Sequence, residues 1–351
     1  MSDAGARPAR PKKSSPAAAP LPGGQAGERP AFRIAGVDIP AGTLSRVELP
    51  VARLPTGTEM SVPVAVAHGT QPGPTVWVSS SIHGDELNGL AVIRRALRQI
   101  NPQALRGTVI AVSVVNVFGM INASRYLPDR RDLNRSFPGS PRGPLAGQLA
   151  HLFMEQVAQR SDVGIDLHTG SDGRTNLPQI RCDLEDPETR RLAHAFGAPV
   201  ILHAALRDGS LRAAARAVGV PVLLYEGGEA HRFDRAAIEV GARGVLRVFA
   251  TLGMLDADPT GVQLESAEAH KSAWIRARQA GFCDIHVELG QRITPGDIVA
   301  TIFDASGRRE HSLKSKLGGI VIGRLQQALV HRGDAILHVA QIGGAPLPRS
   351  F

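Results

Sequence analysis

The chain has 351 residues, a hydrophobic fraction of 43%, a formal net charge of +8 and only 4% aromatic residues. This length favours two domains with a sizeable core, and no apolar run approaches the ~18 residues that a membrane span needs, which disfavours a membrane partner. The basic charge is partly concentrated at the start of the chain, and neither an aromatic RNA-binding motif nor a zinc finger accompanies it, which disfavours nucleic acid as a partner.

The cysteines and the N-terminus indicate the compartment. Cys182 and Cys283 lie far apart and form no CxxC pair, which fits a reducing environment. The basic N-terminus lacks the apolar segment of a secretory signal. We therefore expect a soluble, cytoplasmic protein.

Local patterns divide the chain into a tail and an α/β region. Residues 1–31 are rich in Ala, Pro, Gly, Ser and Lys, so we expect a disordered tail. Short β-prone pieces follow up to Ala67, and buried-type apolar runs then alternate with stretches of helical periodicity. Strands are predicted at 75–81, 107–115, 163–167, 200–202 and 220–225, and helices at 90–98, 144–160, 188–196, 211–218 and 234–252. This alternation predicts an α/β domain over residues 32–256, with a largely parallel sheet flanked by helices.

Residues 257–351 have a different character, with short strands, Gly turns and no clear helix. The segment that starts at Gly281 and reaches Gly296-Asp297 is echoed by the one that starts at Gly319 and reaches Gly333-Asp334. An internal repeat of this kind predicts a small C-terminal β domain, either a sandwich or a flattened barrel.

A His and a Glu stand three residues apart directly after the first buried strand, as His83 and Glu86. Side chains at this spacing can point at one cation, and an imidazole nitrogen with a carboxylate oxygen suits zinc. The same pair also fits a surface His and Glu at the start of a helix.

Two further polar groups follow apolar strands. His168 in Asp166-Leu-His168 follows one strand, and Glu226 leads the other into a Gly-Gly turn. The carboxyl ends of parallel strands are where α/β folds place sites. His168 could be a third metal ligand with Asp166 on the same side to orient it, and Glu226 could be a base near a metal-bound water. Taken singly, His168 also fits a loop histidine bonded to backbone, and Glu226 a solvent-exposed turn carboxylate.

A polar segment between residues 116 and 144 holds four arginines within eleven residues, namely Arg125, Arg130, Arg131 and Arg135. Guanidinium groups bind carboxylates in a bidentate manner and stabilise a developing oxyanion. The segment also fits a solvated loop of charges.

Together these motifs resemble the succinylglutamate desuccinylase/aspartoacylase family. The matching stretches are HGDE at 83–86, DLNRSFPG at 132–139, DLHTG at 166–170 and Glu226 at a strand end. The resemblance runs from about Arg46 to Leu255 and extends into the C-terminal region. It implies a zinc carboxypeptidase-like fold, with a barrel-sandwich hybrid at the C-terminus.

The resemblance also implies a metal cofactor. One Zn²⁺ per chain would be bound by His83, Glu86 and His168. Asp85 stands where the family often has Asn, and because the two residues are similar in size we expect metal binding to be retained.

By the same resemblance, Glu226 matches the general base and acid, and Asn134 with Arg135 matches the pair that holds the substrate carboxylate. Arg125 best matches the arginine that polarises the scissile carbonyl. The two consecutive arginines that follow it in the loop remain alternatives, because the gap to Asn134 is slightly longer than in aspartoacylase.

The function expected from the resemblance is hydrolysis of the amide bond of an N-acyl amino acid, or of a similar small carboxylate-bearing amide, by a metal-activated water. A zinc carboxypeptidase or small-peptide hydrolase on the same fold is an alternative, as is a non-catalytic binding or carrier protein. The C-terminal repeat also resembles biotinyl and lipoyl carrier domains, but the turn at 304–308 lacks the lysine that those domains modify. Whether the protein forms a homo-oligomer is left open, as are the acyl group and the amine of the substrate.

Overall fold

The computed structural model describes residues 29–54, 56–171, 173–256 and 265–342. Most of the expected disordered tail, residues 1–28, lies outside these ranges. The last part of that tail is described, and Arg29 donates hydrogen bonds to the carbonyl oxygens of Gly69 and Gly107 at 3.0 and 2.7 Å. The packed part of the chain therefore includes Arg29.

Helices and strands alternate through the first two thirds of the described residues, and strands alone follow. The helices are α1 Asn88–Leu97, α2 Val117–Ile121, α3 Leu145–Gln156, α4 Pro187–Phe196, α5 Leu211–Ala217 and α6 Arg235–Thr251, with short 3-10 turns at Leu133–Arg135 and Ala158–Arg160. The strands up to residue 256 are β1 Phe32–Ile34, β2 Val37–Ile39, β3 Thr43–Arg53, β4 Glu59–His68, β5 Gln71–Ser80, β6 Arg106–Val112, β7 Val163–Gly170, β8 Arg174–Cys182, β9 Val200–His203 and β10 Val222–Glu229. The later strands are β11 Ala267–Ala269, β12 Lys271–Arg276, β13 Gly281–Ile285, β14 Arg292–Ile293, β15 Ile298–Phe303, β16 Glu310–Lys314, β17 Gly319–Leu325, β18 Leu329–Val330 and β19 Ala335–Gln341. Among the described residues, no helix is long and apolar enough to cross a membrane.

One large sheet organises the molecule, with strand order β12-β19-β17-β8-β10-β7-β5-β6-β4-β3. Its centre, β6-β5-β7-β10, is parallel, whereas β3, β4 and β8 pair antiparallel to their neighbours. This arrangement confirms the predicted α/β fold with a mixed, largely parallel sheet.

Helices cover both faces of the sheet, because the central strands are apolar on both sides. On one face, α1, α4 and α6 share a core that includes Val92, Leu192 and Val245. On the other face, α3 and α5 contribute Leu149 and Leu211 to a second core. The parallel strands are thereby buried, and their carboxyl ends form the edge where the site lies.

The described C-terminal residues, 265–342, contain strands and no helix. Four of these strands form a separate antiparallel sheet in the order β16-β15-β13-β18. Others join the large sheet, because β17 pairs with β8 and then with β19. The division of the chain at residue 257 stays a prediction, and residues 257–264 lie outside the described ranges.

Besides shifts of a few residues at the ends of other strands, three strand assignments near the site differ from the sequence-based expectation. Strand β7 continues past His168 to Gly170, and β10 continues past Glu226 to Glu229, so both side chains project from strands instead of loops. Strand β8 was not predicted at all, since Pro178 argues against a central strand. Pro178 is tolerated because β8 pairs with β17 before it and with β9 after it, so its missing N–H falls where the partner changes.

Both cysteines are free thiols in the packed interior. Burial raises the pKa of Cys182 to about 12 and the pKa of Cys283 to about 11. Both side chains are therefore protonated at neutral pH and serve as small apolar groups, not as nucleophiles.

Trp77 on β5 is fully buried and packs directly over Gly164 of β7, where a Cβ would overlap its ring. We expect Gly164→Ala to lower the free energy of unfolding by about 1–3 kcal/mol through overpacking. Gly147→Ala, inside α3, is the matched control, because its Cβ would meet Pro144 at an ordinary 3.4 Å. Urea unfolding of both variants checks this, and equal midpoints would contradict the packing argument.

Candidate active site and metal centre

The turn between β5 and α1 carries the first two candidate ligands. Ser81 adopts a left-handed backbone (φ 53°), and its hydroxyl donates to the carbonyl oxygen of Glu86 at 2.9 Å. The amide of Glu86 donates to the carbonyl oxygen of His83 at 3.2 Å. A Cβ on Gly84 would overlap the backbone of Gly119, so the turn packs tightly on α2. These contacts hold the His83 and Glu86 side chains on one side.

The third candidate ligand comes from β7. Nδ1 of His168 lies 2.7 Å from Oε2 of Glu86, and Nδ1 of His83 lies 2.8 Å from Oε1. One ligand atom from each of the three side chains lies within 4.8 Å of the others, and all three residues are buried. The structure therefore brings together the three residues that the sequence predicted.

The charges of these groups depend on one another. Burial alone would raise the pKa of Glu86, but His83 and His168 hold the pKa of this carboxyl far below its usual range. Burial would lower the pKa of both histidines, yet the adjacent carboxylates raise the pKa of each above its ordinary value. A buried carboxylate thus requires positive charge between the rings, which a divalent cation supplies in place of imidazole protons. Two imidazoles and one carboxylate are a donor set that fits Zn²⁺ with a coordination position to spare.

The far nitrogens of both histidines face carboxylates. Nε2 of His168 donates to Oδ2 of Asp166 at 2.8 Å, and Oδ1 of Asp166 accepts from the hydroxyl of Ser79 at 2.8 Å. Nε2 of His83 lies 3.3 Å from Oδ1 of Asp132. Such partners fix the ring orientation so that Nδ1 faces the ligand point. The contact between Asp166 and His168 agrees with the expectation from the sequence, whereas the position of Asp132 depends on a loop fold that the sequence does not reveal.

We expect Asp166→Asn and Asp132→Asn each to weaken metal binding by about 10- to 100-fold, the usual effect of losing such a partner. Competition with a zinc-binding dye measures the dissociation constant. Asp162→Asn is the control, because Asp162 precedes β7 at its other end and accepts from the Thr75 amide. Unchanged affinity in both site variants would contradict the orienting role.

Asp85 lies beside the ligand turn but outside the cavity lining. It is buried, and its Oδ1 has no hydrogen-bond partner among the described residues. Burial raises the pKa of this carboxyl. The residue that departs from the family pattern thus leaves the three donors in place.

Glu226 lies next to the candidate metal centre because its Cα is the register partner of His168 on the adjacent parallel strand. Its Oε2 accepts a hydrogen bond from Nδ2 of Asn176 at 2.7 Å, and its Oε1 lies 3.6 Å from a guanidinium nitrogen of Arg181. The carboxylate lines the same cavity as the three donors. It is therefore well placed for proton transfer near them.

Of the three arginines considered for the scissile carbonyl, Arg125 lines the cavity. It donates to Oδ2 of Asp132 at 2.9 Å, and its NH1 lies 3.8 Å from Glu86. Arg130 and Arg131 are exposed and are not part of the lining. The geometry favours Arg125 over both alternatives.

The predicted carboxylate-binding pair lies on the 3-10 turn after Asp132. Oδ1 of Asn134 accepts from the amide of Leu211 at 2.9 Å, which ties the turn to the start of α5. Arg135 is exposed, and its guanidinium donates to the carbonyl oxygen of Asn134. Both residues line the cavity, so this pair can reach a bound substrate.

The cavity has a volume of about 560 Å³, and six arginines outnumber three carboxylates in its lining. Four arginines besides Arg125 and Arg135 line it, namely Arg174, Arg181, Arg207 and Arg212. None of these four was singled out from the sequence, where arginine is abundant throughout. Their clustering favours an anionic ligand.

Strands β12 and β19 also contribute to the cavity wall. Trp274 stacks on His338 with ring centroids 4.4 Å apart, and Arg174 lies 5.7 Å from the Trp274 ring centre. Burial lowers the pKa of His338 to about 3, and Arg181 adds to this effect, so the ring is neutral. The C-terminal strands thus form part of the site, which the sequence did not indicate.

A second group of metal-binding residue types, Glu185, His203 and His270, also brings ligand atoms within 4.8 Å of one another. It differs from the first group because Glu185 and His270 are exposed. Nδ1 of His203 already accepts a hydrogen bond from the Leu184 amide at 3.2 Å. This group is the weaker donor set of the two.

Residues 72–252 match the family model described as the succinylglutamate desuccinylase/aspartoacylase catalytic domain. The chain belongs to the succinylglutamate desuccinylase/aspartoacylase family. The match spans the three candidate ligands, Glu226 and the arginine loop, and it confirms the family that the motifs indicated. Membership places the chain among deacylating hydrolases that act on amide bonds.

Individual relatives agree with the family match. The N-alpha-acetyl-L-2,4-diaminobutyric acid deacetylase of Halomonas elongata is 26% identical over 294 residues, which cover 80% of this chain and 86% of that protein. The crystal structure of a succinylglutamate desuccinylase/aspartoacylase from Rhodobacter sphaeroides is 27% identical, covers 89% of this chain and 100% of its own, and has a TM-score of 0.76. The product-bound ectoine utilization protein EutE (DoeB) of Ruegeria pomeroyi shares the fold, at 22% identity, a TM-score of 0.76, and coverage of 85% of this chain and 95% of its own.

Proposed function

We propose that this protein is a Zn²⁺-dependent deacylase that hydrolyses the amide bond of an N-acyl amino acid. The observation that carries the proposal is the convergence of His83, Glu86 and His168 in a basic cavity, with Glu226 on the adjacent strand. The named activity of the Halomonas relative, removal of an acetyl group from an amino acid, supports the substrate class.

The position of each polar group in the cavity suits one step of amide hydrolysis. A Zn²⁺ held by the three donors would supply Lewis acidity and lower the pKa of a water molecule. The Glu226 carboxylate takes the proton of the attacking water and returns it to the leaving nitrogen. The Arg125 guanidinium donates to the carbonyl oxygen as negative charge develops there.

The 3-10 turn at Leu133–Arg135 orients the substrate. Arg135 and Asn134 bind a carboxylate of the substrate, the guanidinium in a bidentate manner. Holding that carboxylate fixes the amide relative to Glu226, so binding energy is converted into orientation.

The charge of the cavity limits which amino acids can be released from a bound substrate. Six arginines line the cavity, so a cationic side chain on the substrate meets repulsion there. The named substrate of the Halomonas relative carries a free amine. We propose that this protein instead prefers N-acyl amino acids with acidic or neutral side chains.

A substrate panel tests the function. The zinc-loaded protein is incubated with N-acetyl and N-succinyl derivatives of aspartate, glutamate, leucine and diaminobutyrate and with dipeptides, and the products are identified by mass spectrometry. We expect release of free amino acid from the N-acyl compounds, fastest for the anionic ones. Cleavage of dipeptides alone would instead indicate a peptidase, and no turnover of any compound would indicate a binding protein.

A further inference from the structure

A lateral row of residues crosses the large sheet from the proposed base into the C-terminal strands. Asn176 on β8 is the register partner of Gly323 on β17, and Gly323 is the partner of His338 on β19. His338 is in turn the partner of Trp274 on β12. These residues therefore lie side by side, although they are far apart in the chain.

The first member of this row holds Glu226. Asn176 is only 6% exposed, and its Nδ2 donates to Oε2 of Glu226 at 2.7 Å. An irregularity in register between Glu226 and Gly228 interrupts the β8–β10 ladder at this point. With Oε2 held by an amide, proton transfer falls to Oε1, which makes no hydrogen bond to Asn176 and lies 3.6 Å from a guanidinium nitrogen of Arg181.

The second member leaves room for the first. A Cβ on Gly323 would lie 3.1 Å from Oδ1 of Asn176 and 3.0 Å from Cβ of His338, both tighter than ordinary contacts. The Gly323 backbone is outside the left-handed region, so turn geometry does not demand glycine there. The close approach to Asn176 and His338 gives the physical reason for glycine at this position.

We propose that Asn176 is a positioning residue that fixes the Glu226 carboxylate for proton transfer, and that Gly323 of the C-terminal strand β17 provides the space that keeps Asn176 in place. This inference rests on the proposed function, in which Glu226 is the base. A misplacement of about 1 Å at a reacting group can cost roughly 100-fold in rate. Strand β17 of the C-terminal region thus contributes to the reaction indirectly, because it positions Asn176 and Asn176 positions Glu226.

The first test removes the donor at Asn176. Asn176→Asp keeps the shape without a donating amide, and Asn176→Ala removes the group. In the zinc-loaded full chain, with the best substrate of the panel, we expect kcat to fall by about 10- to 100-fold, with KM and bound zinc changed less than about threefold. Thr175→Ala, on the opposite face of the same strand, should keep wild-type kcat. Wild-type kcat in both Asn176 variants would overturn the proposal.

A double-mutant cycle with Glu226→Gln separates positioning from a direct action on substrate. If Asn176 acts through Glu226, Asn176→Ala should change the residual rate of Glu226→Gln by less than about threefold. An equal loss in both backgrounds would overturn the proposal. Wild-type turnover in Glu226→Gln alone would instead refute the proposed function, so the two failures are distinguishable.

A third variant changes Gly323, which belongs to the row of residues but does not line the cavity. Gly323→Ala should lower kcat several-fold by displacing Asn176, whereas Gly318→Ala should have no effect, because its Cβ would meet Pro295 at an ordinary 3.4 Å. Melting temperatures establish that both variants fold. Equal kcat values for the two folded variants would show that the space at Gly323 does not serve Asn176.

Discussion

Replacement of Glu226 by Gln is expected to lower kcat by about 10²- to 10⁴-fold, the range that a general acid–base group contributes. The amide keeps the size of the carboxylate but cannot accept the proton of the attacking water. Bound zinc should be unchanged, because Glu226 is not one of the three converging donors. Steady-state kinetics with the best panel substrate, together with elemental analysis of the purified variant, measure both quantities.

Glu229→Gln is the matched control for this experiment. Glu229 lies three residues later on the same strand, pairs with Arg232 at 3.5 Å and does not line the cavity. We expect its kcat to stay within about threefold of wild type. Full turnover in Glu226→Gln, or an equal loss in Glu229→Gln, would rule out Glu226 as the base.

Replacement of His83 or His168 by Ala should abolish stoichiometric zinc binding and reduce turnover to background. Each change removes one of three protein ligands and one of the two imidazoles that contact the buried Glu86 carboxylate, so the affinity for the metal falls steeply. Inductively coupled plasma mass spectrometry after dialysis gives the metal content per chain. Treatment of the wild-type protein with a chelator should abolish turnover, and added Zn²⁺ should restore it.

His270→Ala tests whether the metal binds at the other group of candidate ligands. It removes one member of the exposed group formed with Glu185 and His203 and leaves the buried donors untouched. We expect one zinc per chain and full activity in this variant. If His270→Ala lost the metal and His83→Ala retained it, the metal centre would have to be assigned to the exposed group.

The parts of the site that were predictable from sequence are those encoded within a few residues. His83 and Glu86 share one turn, and His168 and Glu226 lie near the carboxyl ends of apolar strands that meet at one sheet edge. The alternation of strands and helices likewise determined the α/β fold. In each case a local pattern predicts the strand or turn that carries the residue, whereas the roles of the residues came from the family resemblance.

The parts that escaped prediction depend on contacts between distant segments. The spacing of the arginine loop could not separate Arg125 from its two alternatives, because the loop turns irregularly and Arg130 adopts a left-handed backbone (φ 60°). Asn176 was missed because it lies in β8, whose polar composition and Pro178 argue against a buried strand. Pro178 is acceptable there because β8 changes partner from β17 to β9 at this point and its register with β10 is irregular at the same place.

The pairing of β8 with β17 also has a consequence for the order in which the protein acquires its native structure during synthesis. The segment that contains Asn176 leaves the ribosome long before Gly323, its register partner. Until then, residues 174–176 of β8 lack their partner strand, and exposed strand edges promote association with other chains. We therefore expect a nascent chain truncated before β17 to require chaperones and to remain inactive, even though every residue proposed for catalysis has already been made.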